Sequence, residues 1–351
     1  MIRSYEKESA VKMMNFFGGD ARPFIFIIDF DCHKNIILPL EEVDETIIRF
    51  SSETFYSKQI LHPNIILHKY PISFSEYKKS FDFVYKNIHH GNSFLTNLTC
   101  STPIGSNLSL EQIFEISEAK YRLWVKDQFV CFSPETFVKI NREGVISSFP
   151  MKGTIDAALP KAELLILNDK KELFEHTTIV DLIRNDVSRV ARKVWVEKFR
   201  FLDRIKKHDS NELLQVSSNV SGLLDKDWKE KLGEIIFKML PAGSITGAPK
   251  DKTIEIIKKA ESCLPNSANR NYYTGIFGIF DGESLDSGVL IRFIEQTEEG
   301  MFFKSGGGIT FASDAEKEYN EMIQKIYVPT FRDNQMSKPS ALQSRLSQST
   351  H

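Results

Sequence analysis

Cysteine is scarce. Cys32, Cys100, Cys131 and Cys263 lie far apart and form no CxxC pair, which argues against a disulfide framework or structural zinc and fits a reducing, cytoplasmic compartment. Long apolar runs are missing. No stretch of 18 apolar residues offers a membrane helix, and the opening MIRSYEKESAVKMMNFF lacks the continuous apolar core of a signal peptide. Neither charge dominates: 45 basic and 47 acidic side chains leave a formal net charge of -2. Nucleic-acid binding therefore has no electrostatic basis. The pairs Lys206-Lys207 and Lys258-Lys259 are isolated and read as solvated surface. Internal repeats and long Pro/Gly/Ser linkers are absent too.

What is present suffices for a large core, since 41% of the 351 residues are apolar. PFIFIIDFDCHKNIILP reads as two strands with a turn near His33–Asn35. Residues 74–90 carry helical periodicity, capped by Ser73 or Ser75 and ended by Gly91. NSFLTNLTCSTPI and residues 128–133 read as strands, residues 110–121 as a helix, and 137–140 with 145–149 as a hairpin. MKGTIDA reads as a loop. Residues 163–175 and TTIVDLIRNDVSRVA read as two helical stretches, followed by a strand at 194–199. Helices are expected at 228–240, 250–263 and 315–328. Strands are expected at 272–280 and 287–297, and at 301–304 and 308–311 around a glycine run. Strands and helices mix without regular alternation, which predicts an α+β fold. The simplest division is a small β-rich extension at 1–90, a catalytic unit at 91–329 and a disordered tail at 330–351.

Several groups of residues could carry chemistry. Glu172 and Glu175, and Glu318 and Glu321, are pairs three residues apart, so each pair shares a helix face. Carboxylates from two helices could surround a hard divalent cation such as magnesium; spacing alone fits a wet acidic face better. Asp181, Arg184 and Asp186 are as consistent with an ionic network as with catalysis. PAGSITGAPK supplies a tight loop before a helix, where free N–H groups could bind an anion. It is no P-loop, because Ala-Pro separates Gly247 from Lys250. Gly306–Gly308 in KSGGGITFASD mark a tight bend or a close backbone approach to a ligand. Lys152, in FPMKGT, is an exposed lysine by default; desolvated, it would become a nucleophile.

Six blocks in order, FSPETF, PMKGT, ELFEHTTIVDLIRNDVSRV, GSITGAPK, RNYYTGIFGIF and GGGITFASDAEKEYNEMIQK, resemble the chorismate-utilising enzymes. The resemblance runs from Gly91 to Pro329. It implies antiparallel sheets packed in a sandwich-like core with outer helices. That family includes the large subunits of aminodeoxychorismate and anthranilate synthases and the isochorismate and salicylate synthases. The first branch is resembled most, because its members carry lysine before Gly-Thr, as Lys152 does here, where anthranilate synthases carry alanine.

That resemblance implies chorismate as substrate and Mg2+ as cofactor. Lys152 would attack ring carbon C2 as the C4 hydroxyl leaves, helped by Glu135 as general acid. Ammonia would then add at C4 and expel the lysine, giving 4-amino-4-deoxychorismate for 4-aminobenzoate and folate biosynthesis. Glu175 and Glu321 match the principal magnesium ligands, with Glu172 and Glu318 as their neighbours. Tyr273 and Arg292 match the residues that hold the enolpyruvyl carboxylate. Gly153, Thr154, Gly307 and Gly308 match close-approach positions. Lys325 would balance the acidic face, and Lys250 is the lysine of the GAPK loop. Gln215 replaces a histidine common in relatives, and it cannot relay a proton. A separate glutamine amidotransferase subunit is expected to supply ammonia, and a separate aminodeoxychorismate lyase to take the product. Anthranilate synthase component I is the nearest alternative. Isochorismate or salicylate synthase, and a non-catalytic chorismate-binding protein, stand further off.

Overall fold

In the computed structural model, residues 2–52, 65–206, 212–267 and 269–330 are described. Alternation sets the layers. In the strand Phe24–Ile28 all five residues are fully buried. Phe24, Phe26 and Ile28 pack on one side, and Ile25 and Ile27 on the other. A strand apolar on both faces needs a layer against each.

Among the described residues the strands form two antiparallel sheets, of nine and eight strands. In the first, Phe24–Ile28 pairs with Ile276–Phe280, which continues through Leu285–Val289 to Thr136–Ile140. In the second, Leu95–Ser106 pairs with Gly300–Ile309, then Phe293–Thr297, Phe129–Ser133 and Tyr121–Val125. Ile25, Ile27 and Phe277 from one sheet meet Tyr121, Phe129 and Phe293 from the other, filling the space between them. Helices Lys7–Gly19, Lys170–Ser188 and Leu232–Met239 cover the outer face of the first sheet. Helices Phe74–His89, Lys250–Glu261 and Ala315–Gln324 cover that of the second. The result is the expected α+β sandwich with helices outside.

Several local expectations change. The helix expected over 110–121 ends at Ile116, and Tyr121 opens a strand whose aromatic and β-branched residues pair with Phe129–Ser133. MKGTIDA is a strand, Met151–Asp156, paired with Glu212–Leu223. The helices of the acidic region are Ala162–Asn168 and Lys170–Ser188, broken at Asp169, whose side chain accepts from the Glu172 N–H. Glu172 and Glu175 therefore share one helix with Asp181 and Asp186. Ser73, not Ser75, forms the capping box of Phe74–His89. The helix Lys7–Gly19 and the strand Glu212–Leu223 were not foreseen. Residues before 91 feed both sheets, through Phe24–Ile28 and through Ile48–Ser51. The tail expected from 330 lies, beyond Thr330 itself, outside the described residues.

The glycine run makes no bend. It lies inside the strand Gly300–Ile309, where close approach is its function: a Cβ on Gly306 would overlap the Leu98 carbonyl oxygen. Gly306→Ala is expected to cost about 1–3 kcal/mol by overpacking, read as a lower urea midpoint at unchanged slope. An unchanged midpoint would show that the two strands part freely.

Candidate active site

One cavity of about 190 Å3 opens between strands of both sheets, the Lys170–Ser188 helix and the loop at 240–249. It gathers Glu135, Lys152, Tyr273, Arg292, Gly307, Gly308 and Lys325 on its walls. Glu172, Glu175, Glu318 and Glu321 are not part of this lining, nor are Gly153, Thr154, Gln215 and Lys250.

Each wall residue is placed by a local device. Between Met151 and Thr154 the strand register slips by one residue against Glu212–Leu223. The bulge contains Lys152 and Gly153, and Gly153 has φ +80°, a left-handed conformation suited to glycine. A bulge re-aims side chains, and Lys152 is aimed at the cavity with 30% of its side chain exposed and its Nζ 3.8 Å from Glu175. Thr154 pairs with Gln215 and is exposed.

Glu135 lies in the link between Phe129–Ser133 and Thr136–Ile140. Its N–H donates to Ser133 Oγ, and its carbonyl accepts from the Val289 N–H. Burial pushes its carboxyl above the ordinary range, opposed by the Ser244 hydroxyl and by Lys152, Arg292 and Lys325. Arg292 has φ +54° in the turn between two strands, and its carbonyl accepts from the Phe132 N–H. Tyr273 is buried beside Phe293.

The carboxylates flank this cavity. A Cβ on Gly153 would stand 3.0 Å from Glu172 Oε2, and one on Gly307 would stand 3.3 Å from Glu318 Oε2. Glycine is thus what lets the backbone approach both acidic helices. Burial, then Glu175, raises Glu172; burial raises Glu318, opposed by Ser313 Oγ and reinforced by Glu321. Glu321 is pulled below the ordinary range: burial works against this, but the Lys325 ammonium, 2.6 Å away, prevails. Oxygen donors of this kind suit a hard divalent cation. Among the described residues, however, no three His, Cys, Asp or Glu side chains converge closely enough to hold a metal. Glu175 instead faces Lys152 and Lys171, and Glu321 faces Lys325. The donor chemistry fits magnesium, and closing on it requires these carboxylates to turn from their lysines.

Lys250 is drawn elsewhere. Its Nζ donates to Asp186 Oδ1 at 2.7 Å and to the Met239 carbonyl at 2.9 Å. The Asp181–Arg184 pair is exposed and separate from it. Ser244, Asn97, Thr274 and Lys304 also line the cavity and were missed in the sequence. Ser244 was legible in principle, as the hydroxyl inside the tight GSITG loop.

The fold is that of solved chorismate-utilising enzymes, and the comparison by sequence gives the class. The chain belongs to that family: residues 31–330 match the family described as chorismate binding enzyme. A PabA-like protein of Pasteurella multocida (strain Pm70), itself uncharacterised, is 48% identical over 323 residues, covering 91% of this chain and 98% of that one. Aminodeoxychorismate synthase component 1 of Bacillus subtilis (strain 168) is 29% identical over 275 residues, covering 73% of this chain and 55% of its own length. The menaquinone-specific isochorismate synthase of Escherichia coli shares the fold, with TM-score 0.66 at 13% identity over 92% of this chain and 82% of that one. The chain is thus related to the aminodeoxychorismate and anthranilate synthases.

Proposed function

We propose that this enzyme aminates chorismate at C4, giving 4-amino-4-deoxychorismate. The observation that carries the reading is Lys152, held by a glycine bulge on the same cavity wall system as Glu135. The Lys152 amine, once deprotonated, bonds to ring C2; both conjugated ring double bonds shift around the ring, and the C4–O bond breaks. Glu135 gives its proton to that oxygen, so water leaves. Ammonia then bonds to C4, both double bonds shift back, and the C2–N bond to Lys152 breaks, returning the free amine. Burial around Glu135 keeps its proton available. Arg292 and Tyr273 hold a substrate carboxylate, for which the guanidinium offers two parallel N–H donors. Glu175 and Glu321, with Glu172 and Glu318, would hold Mg2+, which neutralises the ring carboxylate when bound. A separate glutamine amidotransferase would supply the ammonia, and a separate lyase would take the product.

Product identification by chromatography and mass spectrometry tests this, using chorismate, ammonium salt and magnesium, with a magnesium-free control. Aminodeoxychorismate formed only with magnesium is expected. An anthranilate peak would move the chain to the C2-aminating branch and remove the role of Lys152.

A further inference from the structure

We propose that the ion pair between buried Lys304 and Glu295 positions Tyr273, by clamping the turn that carries it from the opposite sheet. The proposal rests on the reading of Tyr273 as a residue that holds a substrate carboxylate.

The turn needs holding. It runs from Asn269 to Gly275 and leads into Ile276–Phe280 of the first sheet. Two of its residues are left-handed without being glycine, Asn271 at φ +52° and Thr274 at φ +62°. Asparagine tolerates that region, but a β-branched threonine there is strained and persists only where its surroundings fix it. Tyr273 lines the cavity, while Tyr272 packs on Phe129.

The clamp comes from the second sheet. Lys304 stands opposite Phe293, and Glu295 lies two residues further along that strand, on the same face. Their ion pair is 2.7 Å long, with side chains 3% and 17% exposed. Burial pulls the Lys304 ammonium below the ordinary lysine range, and Glu295 opposes this. The partners show what a charge does there. Lys304 Nζ donates to the Asn269 carbonyl at 3.2 Å and to the Arg270 carbonyl at 3.1 Å. The same Arg270 carbonyl accepts from the Tyr273 N–H at 3.0 Å. Glu295 Oε1 accepts from Asn271 Nδ2 at 2.9 Å, which grips one of the left-handed residues. The Phe293 ring lies 5.9 Å from that of Tyr273, centroid to centroid. The route from ion pair to Tyr273 is thus made of direct hydrogen bonds. Lys304 also lines the cavity. An ammonium has three N–H groups, however, and Glu295 and the two carbonyls take all of them.

A carboxylate shared by Arg292 and Tyr273 needs both at a fixed spacing. Arg292 immediately precedes Phe293–Thr297, the strand that carries Glu295, so the ion pair joins that strand to the turn of Tyr273. Without the pair the turn relaxes, and the Tyr273 hydroxyl leaves its place beside the carboxylate. A contact made alike in substrate and transition state acts on KM and leaves kcat in place. A pair that served stability alone would lower the unfolding midpoint and leave the KM of the folded enzyme unchanged.

The test is chorismate consumption by the full chain with magnesium, whatever product forms. Tyr273→Phe should raise KM about tenfold with kcat little changed. Lys304→Met should raise KM by a similar factor. Added to Tyr273→Phe it should raise KM little further, since no hydroxyl is left to misplace. Should Lys304→Met fold poorly, combining it with Glu295→Gln removes both charges, leaves none unpaired and keeps an acceptor for Asn271; KM should rise likewise. If Tyr273→Phe raises KM while the folded Lys304 variants keep the wild-type value, the positioning proposal is overturned and Tyr273 keeps its role. It is also overturned if the two effects multiply, which would make Lys304 a substrate contact in its own right. If Tyr273→Phe leaves KM unchanged, the reading of Tyr273 falls, and the proposal falls with it.

Discussion

Lys152→Ala is expected to lower chorismate turnover by on the order of 10^3-fold or more, with the melting temperature almost unchanged. The two halves of that result have separate causes. Lys152 is partly exposed, and its ion pair with Glu175 is 3.8 Å long. A pair so loose and solvated is worth at most about 1 kcal/mol, so the fold barely registers its removal. On the proposed mechanism, the chemistry loses the atom that bonds to C2. Lys152→Arg separates nucleophile from charge: it keeps a cation in the bulge, but a guanidinium stays protonated and cannot attack. Both variants should therefore be equally inactive. Recovery of most turnover in Lys152→Arg would mean that position 152 supplies only positive charge, and near-normal turnover in Lys152→Ala would remove it from the reaction.

Those expectations depend on how far residues announce their surroundings. A strand was readable where a continuous apolar run is rich in aromatic and β-branched residues, as in PFIFIIDF, because both faces of that strand are buried. MKGTIDA was misread because the residues that make it useful, Gly153 and its bulge, are those that look like a loop. The run Gly306–Gly308 posed the converse problem. Its cost in a strand argued for a bend, yet pairing with Leu95–Ser106 continues through it, and a close backbone contact makes glycine necessary. The helix Lys7–Gly19 was hidden because its buried residues, Ala10, Met14, Phe17 and Gly18, follow helical spacing within a polar stretch. Within the site, paired glutamates were visible at spacing three. Lys325 was expected to balance that acidic face, and it pairs with Glu321; that Glu175 turns toward Lys152 was not visible, since Lys152 arrives from another strand. Lys250 shows the limit most clearly. Its place in GAPK suggested a ligand contact, whereas its partner Asp186, distant in sequence, claims it.

The largest stability effect should come from a residue no motif singled out as chemical. Arg270 and Glu261 form an ion pair of 2.6 Å with each side chain 3% exposed. The guanidinium meets both carboxylate oxygens, Nε to Oε2 at 2.9 Å and an Nη to Oε1 at 2.6 Å. Its other N–H groups reach the Ile245 carbonyl at 3.0 Å and the Asn97 carbonyl at 2.9 Å, and its plane lies near the Phe30 ring. Arg270→Ala leaves Glu261 as a buried charge without its counterion, which costs roughly 3–5 kcal/mol against a typical total of about 5–15 kcal/mol. Deleting both partners should not restore stability, unlike an isolated buried pair. Glu261 also accepts from the Thr99 N–H and hydroxyl, so Arg270→Met with Glu261→Leu strands those donors in the core. Urea unfolding of the single and double variants measures both terms. The same side chain joins the loop at Ile245 to the strand at Asn97, two walls of the cavity, so a folded Arg270→Lys variant should bind chorismate more weakly, because one ammonium cannot span both. A loss below about 1 kcal/mol in Arg270→Ala would mean that water or a neighbouring cation reaches Glu261, and that the two walls are held together by packing alone.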